Sequence, residues 1–164
     1  MIADHMRRLF SYNNWAWQHV YKSIEQLSSV DYHASRPIFH HSIHSLLVHS
    51  FAAEQIWYVR CQGESPTILP DPAEFPDFAA VNQTWSSVRH SWANYLQWLS
   101  DDDCKRMIEY RNTAGAPSAL HLSDILQHVM NHATEHRSQL TPVLVELGVP
   151  TRPLDYAYYR AGRT

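Results

Sequence analysis

Cysteine is scarce in this sequence. The 164 residues hold two, Cys61 and Cys104. Two cannot build a disulfide framework, and both are expected to be free thiols in a reducing compartment. Glycine is equally thin, with four residues, so breaks between elements stand out where glycine and proline gather. No run of about 18 apolar residues occurs, which excludes a membrane-spanning helix. Positive charge is not in excess: 13 Lys plus Arg face 16 Asp plus Glu, for a formal net charge of −3. Nucleic acid is therefore not an expected partner, since its recognition calls for a basic patch. Met1 to Trp17 carries charges and aromatics, without an apolar h-region or a small-residue cleavage site. No signal peptide is expected there, and the predicted location is cytoplasmic.

What is present reads as one globular domain, 1–164, with 45% hydrophobic and 18% charged residues and enough length for a core of its own. Histidine is unusually frequent, at 12, so its spacing is the first feature to examine. The six tryptophans and nine tyrosines are expected mainly in the core. Trp57 and Tyr58 are the two best placed to line a pocket.

Apolar residues recur every three to four positions over 3–28, predicting a first helix. Residues 29–41 read as a loop. Ser42 is a plausible N-cap for a second helix to about Cys61. Gly63 to Pro76 holds four prolines and must be a loop. Asp77 opens a third helix to about Leu99. Lys105 to Arg111 alternates as a short strand would, Gly115 and Pro117 mark a turn, and Leu120 and Leu122 fit a returning strand. Ser123 or Asp124 is expected to cap a fourth helix that ends near Leu147, where Gly148 and Pro150 stop it. The tail, Pro153 to Arg160, carries three tyrosines and is expected to pack across the bundle. These elements predict an all-α four-helix bundle with long crossover connections and a short hairpin between helices three and four.

On a wheel of about 100° per residue, His136 falls inside the apolar stripe of the fourth helix and His132 on its shoulder. His128 falls about 110° from the stripe's centre, outside or at the rim. Histidines at i and i+4 project from one face and can share a metal ion. His49 lies in the middle of the second helix's apolar face, whereas His44 falls on the solvent side. His40 and His41 precede that helix and read as surface or capping residues. An inward pair on one helix and an inward histidine on another together point to a divalent metal held by His49, His132 and His136. Three ligands leave positions open on the ion, as catalytic sites do. A closed structural site needs a fourth side chain, and the sequence singles none out.

The stretch Leu126 to Leu140 contains His128, Asn131, His132, His136, Arg137 and Gln139 at the spacing H-x-x-N-H-x-x-x-H-R-G-Q, with Ser138 at the usual glycine. It resembles the signature of the DinB/YfiT-like metal-dependent enzymes. Ser42 to Trp57 resembles that family's second helix, Tyr12-Asn13-Asn14-Trp15 its first-helix Y-N-x-W, and Leu147-Gly148 with Pro153-Leu154-Asp155 its ending. The resemblance implies a four-helix bundle with long crossovers, often a homodimer. It also implies metal ligands at His49, His132 and His136, with zinc, nickel or another divalent ion bound. Some relatives use low-molecular-weight thiols as transferases or isomerases.

The leading expectation is thus a metal-dependent transferase joining a low-molecular-weight thiol to a small-molecule electrophile. Alternatives are metal-dependent hydrolysis, for which no general base is evident, and a non-catalytic metal-binding or stress-related bundle. Asn131 and Glu135 are candidates to orient ligands. Arg60 lies near His49 on the wheel and could meet a substrate carboxylate. Its more ordinary role is a stem packed on the core with the guanidinium in solvent.

Overall fold

The computed structural model describes residues 1–162. Along the chain run α1 (Ile2–Ile24), α2 (Ser29–His33), α3 (Ile43–Cys61), α4 (Phe78–Gln97), β1 (Met107–Arg111), β2 (Pro117–His121), α5 (Leu122–Glu146) and α6 (Tyr156–Arg160). The four long helices are the predicted ones. Each of α1 and α3 packs on both α4 and α5, which closes a four-helix bundle with the hairpin inserted before its last helix. Trp17, Leu46, Leu47, Phe51, Trp85, Leu126 and Leu140 are fully buried at its centre. The Trp17 and Trp85 rings meet edge to face at 4.6 Å, a favoured aromatic geometry. No described helix is long and apolar enough to cross a membrane.

The helix starts follow from their caps. Ser42 Oγ accepts from Ser45 N at 3.0 Å and Asp77 Oδ1 accepts from Ala80 N at 2.9 Å, each satisfying a donor the first turn leaves free. The start of α5 departs from expectation. The helix begins at Leu122, with His121 as N-cap and no side-chain cap, so neither Ser123 nor Asp124 serves. Leu122 N donates instead to Arg106 O at 2.9 Å, and Leu122 is fully buried. The strand therefore feeds the helix directly, and Leu122 belongs to the helix. A second departure lies at 29–33, expected as loop. Ser28 Oγ accepts from Asp31 N at 3.0 Å and caps the short α2.

β1 and β2 pair antiparallel, with Ile108 opposite Leu120. Side chains alternate along a strand, so buried Ile108 and half-buried Tyr110 share the face turned to the bundle. The Tyr110 ring meets Trp57 of α3 at 5.1 Å. In the tail, α6 sets Tyr156 and Tyr159 against Tyr12 at 5.2 and 5.8 Å, and Tyr12 Oη donates to Leu154 O at 2.7 Å. Both cysteines are buried free thiols.

Candidate metal centre

α3 and α5 lie side by side, and the apolar stripe of each aims its histidines into the seam. His132 Nε2 stands 3.2 Å from His49 Nε2 and 3.1 Å from His136 Nε2. One ligand nitrogen from each of the three lies within 4.8 Å of the others. His136 is buried and His132 half-buried, as the wheel anticipates; His49, which the wheel sets mid-face, is half-buried.

These distances suit a shared ion. Metal–nitrogen bonds of about 2.0–2.1 Å at tetrahedral angles separate ligand nitrogens by about 3.3–3.4 Å. Protons alone suit the cluster poorly. A neutral imidazole nitrogen carries either one hydrogen or one lone pair in the ring plane. His132 Nε2 can therefore make one linear hydrogen bond, yet it faces two nitrogens. A cation at the convergence point satisfies all three lone pairs at once.

The rings are held in the neutral form that ligation needs. Burial, then the neighbouring His40 and His136, lowers the His49 pKa to about 4. Burial, then His136 and His49, lowers that of His132 to about 3. Burial also lowers His136, against the opposing pull of its Gln139 contact and of Glu135. His136 Nδ1 lies 3.5 Å from Gln139 Oε1. A proton held on Nδ1 toward that oxygen leaves Nε2 free for the seam, the arrangement by which an outer contact orients a ligating histidine.

Two histidines read as surface residues are not there. His44 is 6% exposed. Its Nε2 donates to Pro72 O at 2.9 Å and its Nδ1 accepts from Tyr32 Oη at 3.1 Å. α2 and the proline-rich connection cover the side of α3 that a lone helix would leave to solvent. His40 stacks on His49, with ring centroids 4.0 Å apart and planes at 28°. Its Nε2 is buried without a hydrogen-bond partner among the described residues. His40 and His41 both adopt left-handed backbone, at φ 63° and 64°, a conformation unfavourable for residues other than glycine. The turn also sets Phe39, 58% exposed, over His136 with planes 11° apart at 6.0 Å.

The remaining candidates fall around the triad unevenly. Asn131 is exposed, and its Oδ1 accepts from Gln127 Nε2 at 2.9 Å. Glu135 is exposed and acts on His136 through its charge. His128 is exposed at the rim, its ring 5.7 Å from His132 and 5.0 Å from Trp57. Arg60 departs from the expected solvated guanidinium. It is 4% exposed, with its Cζ 4.6 Å from the Trp57 ring and 4.8 Å from Tyr110. The hairpin, invisible to a helical wheel, closes over it.

Behind the triad lies a polar network that the wheels did not single out. Glu54 of α3 accepts from Trp85 Nε1 at 2.7 Å and from Asn13 Nδ2 at 3.1 Å. Arg137 of α5 donates to Asn13 Oδ1 and to Thr134 Oγ1 at 3.0 Å. Glu54, Asn13 and Arg137 are all buried. Burial and pairing account for the Asn13 and Arg137 positions of the motifs: they tie α1, α3, α4 and α5 together beside the histidines.

A four-helix bundle with three histidines converging from two adjacent helices defines a class of protein able to hold a metal ion. The chain belongs to the DinB family, whose model matches residues 1–163. It is 22% identical over 165 residues to "Protein DinB" of Bacillus subtilis (strain 168), which covers 96% of this chain and 95% of that protein.

Proposed function

We propose that this protein is a metal-dependent enzyme in which His49, His132 and His136 hold one divalent transition ion, zinc, nickel or another. The observation carrying this reading is the convergence of three Nε2 atoms at 3.1–3.2 Å steps, which protons cannot join by two linear hydrogen bonds at His132. A bound ion with an open position supplies Lewis acidity, which lowers the pKa of a thiol and keeps it as the reactive thiolate. The chain's own part is to hold three neutral imidazoles at one point, orient His136 through Gln139, and cover one side of the seam with Phe39 and His40. The reaction class favoured joins a low-molecular-weight thiol, through its sulfur, to a small electrophile, in a cytoplasmic homodimer. Hydrolysis draws less support: among the described residues no carboxylate is hydrogen-bonded to the triad.

Elemental analysis of untagged protein purified without chelator tests the metal, beside His49→Ala and His132→Ala. About one equivalent of metal in wild type, lost in both folded variants, is the expected result for a His₃ site. Wild type that takes up neither Zn²⁺ nor Ni²⁺ on reconstitution would return the triad to core packing. A screen of thiols against electrophiles on the loaded protein then separates a transferase from a non-catalytic bundle.

A further inference from the structure

Among the described residues, Arg60 is a buried cation without an anion. It is 4% exposed, and burial is the chief influence on its charge, opposed by the Tyr110 phenol rather than by any carboxylate. The rings of Trp57 and Tyr110 both lie against the guanidinium, and such contacts offset only part of the penalty of taking a charge out of water. Its Nε and Nη2 are buried and have no hydrogen-bond partner among the described residues. Those two atoms form one edge of the guanidinium, with parallel N–H bonds matched to the two oxygens of a carboxylate. Native structures seldom leave such donors orphaned: an ordered water, an ion or a ligand completes them.

The place of Arg60 gives the orphaned edge a meaning. Rings run in contact from Tyr110 to Trp57 at 5.1 Å, from Trp57 to His128 at 5.0 Å, and from His128 to His132 at 5.7 Å. Arg60 stands at one end of this aromatic strip and the histidine triad at the other. We propose that Arg60 is the carboxylate-binding subsite of this centre. The substrate carries a carboxylate that docks on the Nε/Nη2 edge while its reacting end reaches the triad along the strip. Solvent does not reach the edge in this conformation, so docking requires a neighbour to turn aside. Trp57 and Tyr110 pack on the guanidinium; both are half-buried, and Tyr110 stands on the surface hairpin, which makes it the neighbour to move. The far end of this substrate rests on the proposed metal centre, whereas the carboxylate subsite rests on Arg60 alone.

The test compares mercaptohexanoate with its methyl ester, a pair that differs in the charge at one end. Each is titrated into zinc-loaded wild-type protein while the Nε–H resonance of Arg60, assigned by its loss in Arg60→Lys, is followed by NMR. The acid is expected to shift that resonance saturably and to bind about tenfold tighter than the ester, as a charge-assisted bidentate contact warrants. In Arg60→Gln the difference is expected to vanish. Acid and ester binding alike, or an Arg60 resonance unmoved at saturation, would overturn the subsite. Should the protein take up no zinc, the metal reading fails alone. Hexanoate titrated into the metal-free protein then decides the subsite by the same resonance, moved or unmoved. Should Arg60→Gln not fold, the wild-type titration decides.

Discussion

Arg137 of α5 donates to Asn13 of α1 across the middle of the bundle, one residue along α5 from His136. Asn13 also donates to Glu54, so one amide side chain stands between a buried acid and a buried base. Both are buried, and burial raises the Glu54 pKa and lowers that of Arg137. Asn13→Ala is therefore expected to cost about 2–4 kcal/mol, because it strips a hydrogen bond from each of two buried ionisable groups. Urea unfolding followed by circular dichroism measures this. A loss under about 0.5 kcal/mol, the ordinary surface value, would show that the network does not bear on stability.

The left-handed pair His40 and His41 gives a prediction of opposite sign. His41 is exposed and sits at φ 64°, where a side chain is unfavourable by about 1 kcal/mol. His41→Gly is expected to raise the unfolding free energy by about 0.5–1 kcal/mol, since glycine accepts that backbone without steric penalty and its greater loss of freedom on folding offsets only part of the gain. His40→Gly is expected to gain less, because it gives up the ring stack on His49. Equal gains for the two would mean that the stack contributes nothing.

The fold and the triad were legible in the sequence for one reason: both are statements about the periodicity of single helices. His49 and His136 sit on the stripe of their own helix and His132 on its shoulder, and the wheel places them without knowledge of any neighbour. His44, His40 and Arg60 escaped because their environment comes from elsewhere in the chain. α2 and the proline-rich connection bury His44, a turn before α3 folds His40 onto His49, and β1 covers Arg60. Glu54 and Arg137 show a different failure. A charged residue on a buried face reads as an error in the stripe until its partners on other helices are known. The start of α5 was missed for a similar reason, as the carbonyl that replaces its cap belongs to Arg106, outside the helix.

His44 makes stability depend on pH. Burial lowers its pKa, with the Pro72 carbonyl and Asp77 pulling upward and His33 adding to the lowering. The neutral ring fits its surroundings: Nε2–H donates to Pro72 O, and Nδ1 accepts from Tyr32 Oη. The folded-state pKa lies below the ordinary value of 6.5, so the unfolded chain takes the proton first. The contribution is then fully present above pH 6.5 and is lost as pH falls below it. His49 and His132 act in the same direction in metal-free protein, so the comparison needed is wild type against His44→Gln. Urea midpoints measured from about pH 7.5 to about pH 4.5 are expected to fall less steeply in the variant. Parallel curves would remove His44 from the account.

Gln139 offers a test of how the triad is oriented. Its Oε1 lies 3.5 Å from His136 Nδ1, a long contact in the metal-free geometry, and one expected to tighten when Nε2 is drawn to an ion. Removing such an outer partner typically weakens a metal site by about 10–100-fold. Gln139→Ala is thus expected to lower zinc affinity by about tenfold at the mild end of that range, while the metal-free fold stays intact because the side chain is only half-buried. The same difference must appear in stability. Zinc at about 100 times its dissociation constant stabilises the folded chain by about 2.7 kcal/mol. A tenfold weaker variant at that concentration loses about half of the increment, and His132→Ala is expected to show none of it. Melting curves with zinc and with chelator, run on the three proteins together, read all of these effects. If Gln139→Ala matched wild type in zinc, the His136 proton would be held by something other than the glutamine.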